Sequence, residues 1–237
     1  GEKAGSRAVF ITATGTDVGK TYVTALIVKR LREAGINAGY YKAALSGAEE
    51  RDGKLVPGDA DFVARTSGMT EPPESLVSYI YKNPLSPHLA AQIEGNPPEL
   101  GAVKRDFTSA LNKYDYLCVE GCGGIVCPIR WDERKIMLED IIKACGLAVV
   151  IVAPSGLGSI NSAVLTVEHA HAAGIEVRGI IMNGYDETQL MYRDNKYMIE
   201  ALTGVRVAAC VKRDDTALDV PVDGLCGLFK EAAEIDA

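Results

Sequence analysis

The 237-residue sequence predicts an α/β fold in which helices flank a doubly wound, mostly parallel sheet. Apolar runs typical of buried parallel strands recur along the chain, and stretches with apolar residues at helical spacing separate them. Strands and helices that alternate at this length imply right-handed crossovers between parallel strands. No repeat, low-complexity tract or linker interrupts the pattern, so we expect residues 1–237 to form one domain. Residues 1–6 are expected to be a flexible tail, of natural or cloning origin.

The composition and charge of the chain narrow its class of function. Apolar residues make up 47% of the chain and charged residues 24%, as in ordinary globular proteins. The net charge of −7 disfavours a nucleic-acid partner, and no apolar run is long enough to cross a membrane. The six cysteines do not repeat at metal-ligand spacing, so we expect reduced thiols and a cytoplasmic protein.

A phosphate-binding pattern lies between the first strand and the first helix. Apolar residues 8–11 lead into residues 12–21, Thr-Ala-Thr-Gly-Thr-Asp-Val-Gly-Lys-Thr, and an amphipathic stretch follows. This is the context of a P-loop, whose backbone N–H groups bind phosphate. We expect Gly15 and Gly19 to provide positive φ or close approach, Lys20 to reach the β- and γ-phosphates, and Thr21 to bind Mg²⁺. The first glycine comes one residue later than usual, so the alternative is an ordinary strand–turn–helix with a surface lysine.

The later elements follow from the same patterns. Residues 38–42 predict a second strand, residues 42–47 the loop that leaves it, and residues 49–58 a mobile loop. Helices are expected near residue 59 and at 86–93, 97–113 and 159–173, and strands at 76–81, 116–119, 148–152 and 179–182. The last third predicts a helix at 192–202, a strand at 205–211 and a closing helix at 225–233.

Two acidic side chains, one at a strand end and one just past the loop expected at 49–58, are candidate metal ligands. Glu120 ends an apolar strand and precedes a glycine-rich turn, the position of an acid that binds the metal of a P-loop nucleotide. Asp59 is a second candidate, although a helix N-cap is an equally good interpretation. Since Mg²⁺ needs few protein carboxylates, Thr21, Asp59, Glu120, phosphate oxygens and water would be sufficient.

Other candidates have weaker signals. Lys42 follows a strand near the P-loop and could stabilise a transferring phosphoryl group, or it could be a surface lysine. Ser159 begins a helix whose N-terminus could hold an anion, or it could simply be an N-cap. His88 is as readily a packed or capping residue as a catalytic one. For Cys122 and Cys127 core packing is favoured over a redox or metal role.

Five motifs, in this order, resemble the dethiobiotin synthetase family, the ATP-dependent carboxylases of biotin synthesis. Besides the P-loop they are Tyr-Lys-Ala-Ala-Leu-Ser-Gly at 41–47, Ser-Pro-His at 86–88, Val-Glu-Gly-Cys-Gly-Gly at 119–124 and Gly-Leu-Gly-Ser-Ile-Asn at 156–161. The resemblance covers about residues 8–183. Ala13, Ala43 and Cys122 depart from the residues that are common in the family, and residues 209–212 lack its usual proline. The base preference, ATP or CTP, is therefore open.

The resemblance also implies the roles of individual residues. It implies that ATP is bound by Thr16, Asp17, Val18, Gly19, Lys20, Thr21, Glu120 and Asn183, with Asn183 at the adenine, and that Mg²⁺ is bound by Thr21, Asp59 and Glu120. Lys20, Lys42 and Ser46 are the implied catalytic residues. The implied contacts to 7,8-diaminononanoate come from Ser46, Gly123, Gly158, Ser159 and Asn161, with the last three acting across a homodimer interface.

The implied reaction forms a ureido ring from this diamine, CO₂ or bicarbonate, and ATP. CO₂ adds to one amine to give a carbamate, whose oxygen attacks the γ-phosphate to form a carbamic–phosphoric anhydride. The second amine then closes the ring and expels phosphate. The apolar face of the 159–173 stretch is too regular to be exposed, which favours the dimer. The alternatives are another P-loop ligase of the amidase type, or a partitioning-type ATPase switch, which the acidic residues 224–237 disfavour.

Overall fold

A sheet of seven parallel strands forms the centre of the computed structural model, which describes residues 5–232. In chain order the sheet strands are β1 Arg7–Ala13, β2 Ala38–Leu45, β5 Val77–Ile80, β6 Tyr116–Glu120, β9 Val149–Pro154, β10 Val177–Asn183 and β11 Val207–Val211. Across the sheet they lie in the order β11-β10-β9-β1-β6-β2-β5. The predicted α/β fold with a doubly wound parallel sheet is confirmed.

Helices connect these strands. They are α1 Lys20–Glu33, α2 Gly58–Ser67, α3 Pro87–Glu94, α4 Leu100–Lys113, α5 Leu138–Ala144, α6 Ser159–Ala172, α7 Leu190–Thr203 and α8 Val222–Cys226, with a 3₁₀ helix at Pro73–Leu76. The connections through α1 and α2 run one way across the sheet, and those through α4, α6 and α7 run the other way. Right-handed crossovers therefore place the two groups on opposite faces. No helix within residues 5–232 is long and apolar enough to span a bilayer.

Short antiparallel pairs complete the structure. The first is the hairpin of β3 Glu49–Arg51 and β4 Lys54–Val56, and the second joins β7 Pro128–Trp131 to β8 Lys135–Met137. The expectation of a mobile loop at 49–58 is therefore wrong. Asp52 and Gly53 have φ of 51° and 75°, and two consecutive positive φ values make a tight turn whose twist suits a hairpin.

The second strand is longer than the sequence predicts. β2 continues to Leu45, so the loop expected at 42–47 is reduced to its last residues, and Lys42 lies within the strand. All eight residues of β2 are buried, because β6 and β5 pair with its two sides. This burial determines the environment of Lys42.

The end of the described chain is a strand and not the closing helix that the sequence predicts at 225–233. Only α8 is helical there, and β12, Lys230–Glu231, pairs antiparallel with the first residues of β1. Phe229 is buried and packs edge-on against Tyr116, which fixes this turn of the chain. Ala233 and residues 1–4 of the expected tail lie outside the described residues. Ser6 belongs to the fold, since its carbonyl accepts a hydrogen bond from the Ala232 N–H.

Candidate active site

The loop between β1 and α1 has the geometry of a phosphate cradle. Gly19 is the N-cap of α1 and has φ of 92°, as the sequence predicts. Gly15 does not have a positive φ, and Asp17 has one instead, at 59°. A Cβ on Gly19 would lie 2.0 Å from Asn183 Nδ2, which donates a hydrogen bond to the Val18 carbonyl. Glycine is therefore required here for close approach as well as for conformation.

A buried carboxylate at the end of β6 joins the strands to this loop. Glu120 is 1% exposed, and its Oε2 accepts hydrogen bonds of 2.9 Å from both Thr21 Oγ1 and Lys42 Nζ. Its Oε1 accepts a third, 3.1 Å long, from the Tyr40 hydroxyl. Lys42 Nζ also lies 3.0 Å from Asp59 Oδ2. The two predicted carboxylate ligands, Asp59 and Glu120, thus flank the buried Lys42 ammonium, and the third, Thr21, reaches the cluster through its hydrogen bond to Glu120.

The register of the sheet explains this arrangement. Lys42 on β2 lies directly opposite Glu120 on β6, and Ile11 of β1 lies opposite Glu120 on the other side. Burial would lower the pKa of Lys42, but Glu120 and Asp59 outweigh it and hold that pKa above its usual range. The alternative of a surface lysine at this position is wrong.

Asp59 lies in the first turn of α2 and not at its cap. The N-cap of this helix is Pro57, so the N-cap interpretation of Asp59 is wrong. Burial would raise the pKa of Asp59, but Lys42 and hydrogen bonds from Lys42 and Thr21 lower it. Its side chain is 41% exposed and faces the cavity that the P-loop surrounds, so it remains accessible to a ligand.

The second lysine of the site is less neutralised. Lys20 Nζ donates one hydrogen bond, of 3.1 Å, to the carbonyl of Gly123. Burial lowers the pKa of Lys20, and the nearby Lys42 ammonium lowers it further, although Glu120 and Asp59 partly offset both effects. An anion bound beside Lys20 would stabilise its charged form.

The predicted phosphate-binding residues line one cavity of about 300 Å³. Its walls include Thr16, Asp17, Gly19, Lys20, Thr21, Lys42, Ser46, Asp59 and Gly123. Cys122 also lines it, and the Cys122 thiol donates a 3.0 Å hydrogen bond to the Ala44 carbonyl. Burial raises the pKa of Cys122, and it raises the pKa of Cys127 to about 12. Within residues 5–232 no three His, Cys, Asp or Glu side chains cluster as a metal site.

A larger cavity, of about 790 Å³, opens beside the first. Asn183 and residues 184–189 line one side of it, and Lys212, Arg213 and Asp214 line another. Tyr22, directly after the P-loop, lines both cavities. Sequence reasoning identified Asn183 but missed Tyr22 and Tyr40, because neither tyrosine stands out until the strands are paired.

The residues of the 156–161 motif line neither cavity. They follow β9, on the side of β1 away from β6 and β2. Gly158 is the N-cap of α6 with φ of 92°, so the N-cap interpretation of Ser159 is wrong. Gly158 and Asn161 are exposed, whereas the Ser159 hydroxyl is buried and has no hydrogen-bond partner among the described residues. His88 also lies outside both cavities, with its Nδ1 3.0 Å from Ser86 Oγ.

Known proteins resemble the chain over nearly its whole length. Residues 7–218 match a family described as an AAA domain. The ATP-dependent dethiobiotin synthetase of Clostridium botulinum (strain Okra / Type B1) is 48% identical over 226 residues, which cover 95% of this chain and 99% of the relative. The chain belongs to the dethiobiotin synthetase family. The synthetase of Brachyspira hyodysenteriae is also 48% identical, over 87% of this chain and 92% of its own.

The alignment to dethiobiotin synthetases extends past residue 183, where the resemblance of the motifs ends.

Solved structures of more distant proteins share the fold alone. The MinC:MinD complex of Aquifex aeolicus matches with a TM-score of 0.56 at 15% identity, covering 94% of this chain and 86% of that one. A ParA family ATPase from Chlorobium tepidum has the same TM-score at 17% identity, and the match covers 89% of this chain and 86% of that one. Membership of the dethiobiotin synthetase family favours a ligase over the partitioning-type switch.

Proposed function

We propose how this site carries out ATP-dependent dethiobiotin synthesis, the activity of the family to which the chain belongs. The substrates would be MgATP, 7,8-diaminononanoate and CO₂ or bicarbonate. The observation that carries the proposal is the buried Glu120, held between Thr21 of the P-loop and Lys42 of β2. Glu120 thereby links the phosphate cradle to Lys42, the residue proposed to hold the carbamate.

The residues present fit a magnesium ion. Thr21, Asp59 and Glu120 offer one hydroxyl and two carboxylates in one cluster that Lys42 links, and no richer cluster of acids, thiols or imidazoles occurs within residues 5–232. Mg²⁺ prefers a few carboxylates together with phosphate and water oxygens, so this sparse set suits it. When bound, the ion would neutralise charge on the γ-phosphoryl group.

The lysines would then neutralise and orient the reacting anions. Within residues 5–232 a carbonyl is the one hydrogen-bond partner of the Lys20 ammonium, which lies beside the cradle, so Lys20 would bind the β- and γ-phosphates. Lys42 and Ser46 line the same cavity and would hold the carbamate that CO₂ forms with one amine. The carbamate oxygen would attack the γ-phosphorus and release ADP. The second amine would then attack the carbonyl carbon and expel phosphate, closing the ureido ring.

The test measures dependence on magnesium. Purified protein is assayed with ATP, bicarbonate and diaminononanoate, and both ADP and dethiobiotin are measured. Glu120→Gln should raise the Mg²⁺ concentration required for half-maximal activity, because one anionic ligand is lost. Glu176→Gln, at an exposed carboxylate before β10, is the matched control and should behave as wild type. An unchanged magnesium requirement in Glu120→Gln would assign the metal to other residues.

A homodimer is part of the same proposal. The sequence argument for a dimer is that the apolar face of residues 159–173 must be covered by a partner. This argument needs correction, because Ala163 and Val167 of α6 are buried in the core of their own chain. A dimer is supported instead by the exposed apolar side chains of α6 and α7. Leu157, two residues before α6, is 93% exposed, and large apolar side chains on α6 and α7 are also exposed, namely Leu165, Leu190, Met191, Tyr197 and Leu202. A second copy packed there could place its Gly158–Asn161 segment at the partner's diamine.

Mixing two inactive variants tests this sharing. Lys20→Ala removes the phosphate lysine, and Asn161→Ala removes a proposed diamine contact. In a mixed dimer one site has both defects and the other has neither, so random reassociation should restore about a quarter of wild-type activity. Sedimentation velocity measures the oligomeric state. A fully active monomer, or mixing without recovery, would contradict the shared site.

Two smaller points belong to this proposal. Asn183 lines the larger cavity and donates a hydrogen bond to the Val18 carbonyl of the P-loop, and it would contact the adenine. A cytoplasmic location is supported by the six cysteines, all of which are free thiols.

A further inference from the structure

Tyr22 connects the two cavities at the proposed nucleotide site. It follows Thr21 directly and lies in the first turn of α1. Among the described residues that line either cavity, Tyr22 alone lines both the 300 Å³ cavity and the 790 Å³ cavity. A molecule that extends from one cavity into the other must therefore pass this side chain.

The surroundings of Tyr22 hold its ring in place. The ring of Phe62, on α2, lies 6.2 Å away between centroids at an interplanar angle of 35°. Asp214 lines the larger cavity together with Tyr22, and Asp215 follows it in the chain. Burial raises the pKa of Tyr22, and Asp215 and Asp214 raise it further. The loop that carries them is tied to α1, because Lys29 Nζ donates a 2.6 Å hydrogen bond to the Thr216 carbonyl. The Tyr22 ring thus pairs with an aromatic residue of α2, and the neighbouring loop is hydrogen-bonded to α1.

The direction of a bound triphosphate follows from the P-loop. Its terminal phosphates belong near Lys20 and Glu120, since those groups supply the lysine and the metal-binding carboxylate. The nucleoside must then lie on the other side, where Asn183 and Asp214 line the larger cavity. A triphosphate bound in this direction would pass Tyr22 where its phosphate chain meets the ribose, because Tyr22 lines both cavities.

We propose that Tyr22 is a nucleoside-binding residue whose ring packs against the nucleoside of ATP at its ribose end. The ring contributes to the affinity for the nucleotide and not to the affinity for its phosphate chain. This inference rests on the proposed function, because it assumes that the smaller cavity holds the phosphates.

Comparison of ATP with inorganic tripolyphosphate tests the inference, because tripolyphosphate has the phosphates without the nucleoside. Calorimetric titration with Mg²⁺ present measures the Kd of both ligands for wild type, Tyr22→Ala, Tyr22→Phe and Lys20→Ala. Tyr22→Ala should weaken ATP binding about tenfold, as loss of an aromatic contact to a nucleoside does, and should leave the Kd of tripolyphosphate unchanged. Tyr22→Phe should restore ATP affinity, since it keeps the ring. Lys20→Ala should weaken both ligands.

The two proposals fail in different ways. Equal loss of both ligands in Tyr22→Ala, or no loss of ATP, would overturn the role of Tyr22 while Lys20→Ala still reports on the phosphate site. Unchanged binding of both ligands in Lys20→Ala would overturn the phosphate site itself. Retained tripolyphosphate binding in Tyr22→Ala also shows that this variant is folded.

Discussion

Replacement of Lys42 by methionine should destabilise the protein strongly even without substrate. The Lys42 side chain is buried, and it is the charged partner of Glu120, whose side chain is fully buried. Removing one member of a buried ion pair typically costs about 3–5 kcal/mol, because the remaining charge has no counterion. Thr21 and Tyr40 would still donate hydrogen bonds to Glu120, so we expect a cost of about 3 kcal/mol, near the lower end of that range.

The double variant Lys42→Met/Glu120→Gln isolates the charge effect from the loss of packing. Removing both charges should recover about 2 kcal/mol, because the neutral amide needs no counterion. Urea unfolding at pH 7, without nucleotide or Mg²⁺ and at one protein concentration, gives the free energies if the m-values agree. A single variant that loses less than about 1 kcal/mol, or a double variant no more stable than the single one, would refute the reasoning.

Four further changes are informative. Lys20→Ala should abolish ADP release while thermal melting stays close to wild type, and normal turnover in a folded variant would contradict the P-loop assignment. Gly19→Ala should lower both stability and nucleotide affinity, because its Cβ would lie 2.0 Å from Asn183 Nδ2; an unchanged Tm and Kd would exclude this. The pKa of Asp59 lies below its ordinary 3.8, so ionised Asp59 stabilises the fold above pH 3.8, and this contribution is lost as the pH falls. Asp59→Asn should therefore flatten the acidic part of the profile of unfolding free energy against pH. An identical slope in wild type and variant would contradict this role of Asp59. Cys122→Ala should keep its activity within a few-fold in the dethiobiotin assay, and inactivity would give the thiol a role in the reaction.

The phosphate cradle could be predicted from sequence because its chemistry is local. Gly19, Lys20 and Thr21 are consecutive and follow β1 after five residues, so one short motif predicts both the loop and the phosphate proposed to bind there. Glu120 was found for the same reason, at the end of an apolar run. The burial of Lys42 was not predictable in this way. It depends on the pairing of β2 with two other strands and on Asp59 from a helix, all distant in sequence.

The short elements were missed for a different physical reason. A two-residue strand such as Lys230–Glu231 has no periodic pattern, because its existence depends on the unpaired edge that β1 offers to it. The β3–β4 hairpin did have a turn signal at Asp52-Gly53, which its charged neighbours obscured. The larger cavity likewise has no sequence signature, since Tyr22 and Asn183 become neighbours only through the order of the strands.

The pairing of β12 with β1 has a practical consequence for anyone who modifies this protein. It brings Ser6 and Ala232 within hydrogen-bonding distance, 3.0 Å from N–H to carbonyl. Both lie at the start of β1, and the P-loop lies at its other end, about 20 Å away for a seven-residue strand. Fluorophores or surface tethers attached beside Ser6 or Ala232 should therefore leave the catalytic edge accessible.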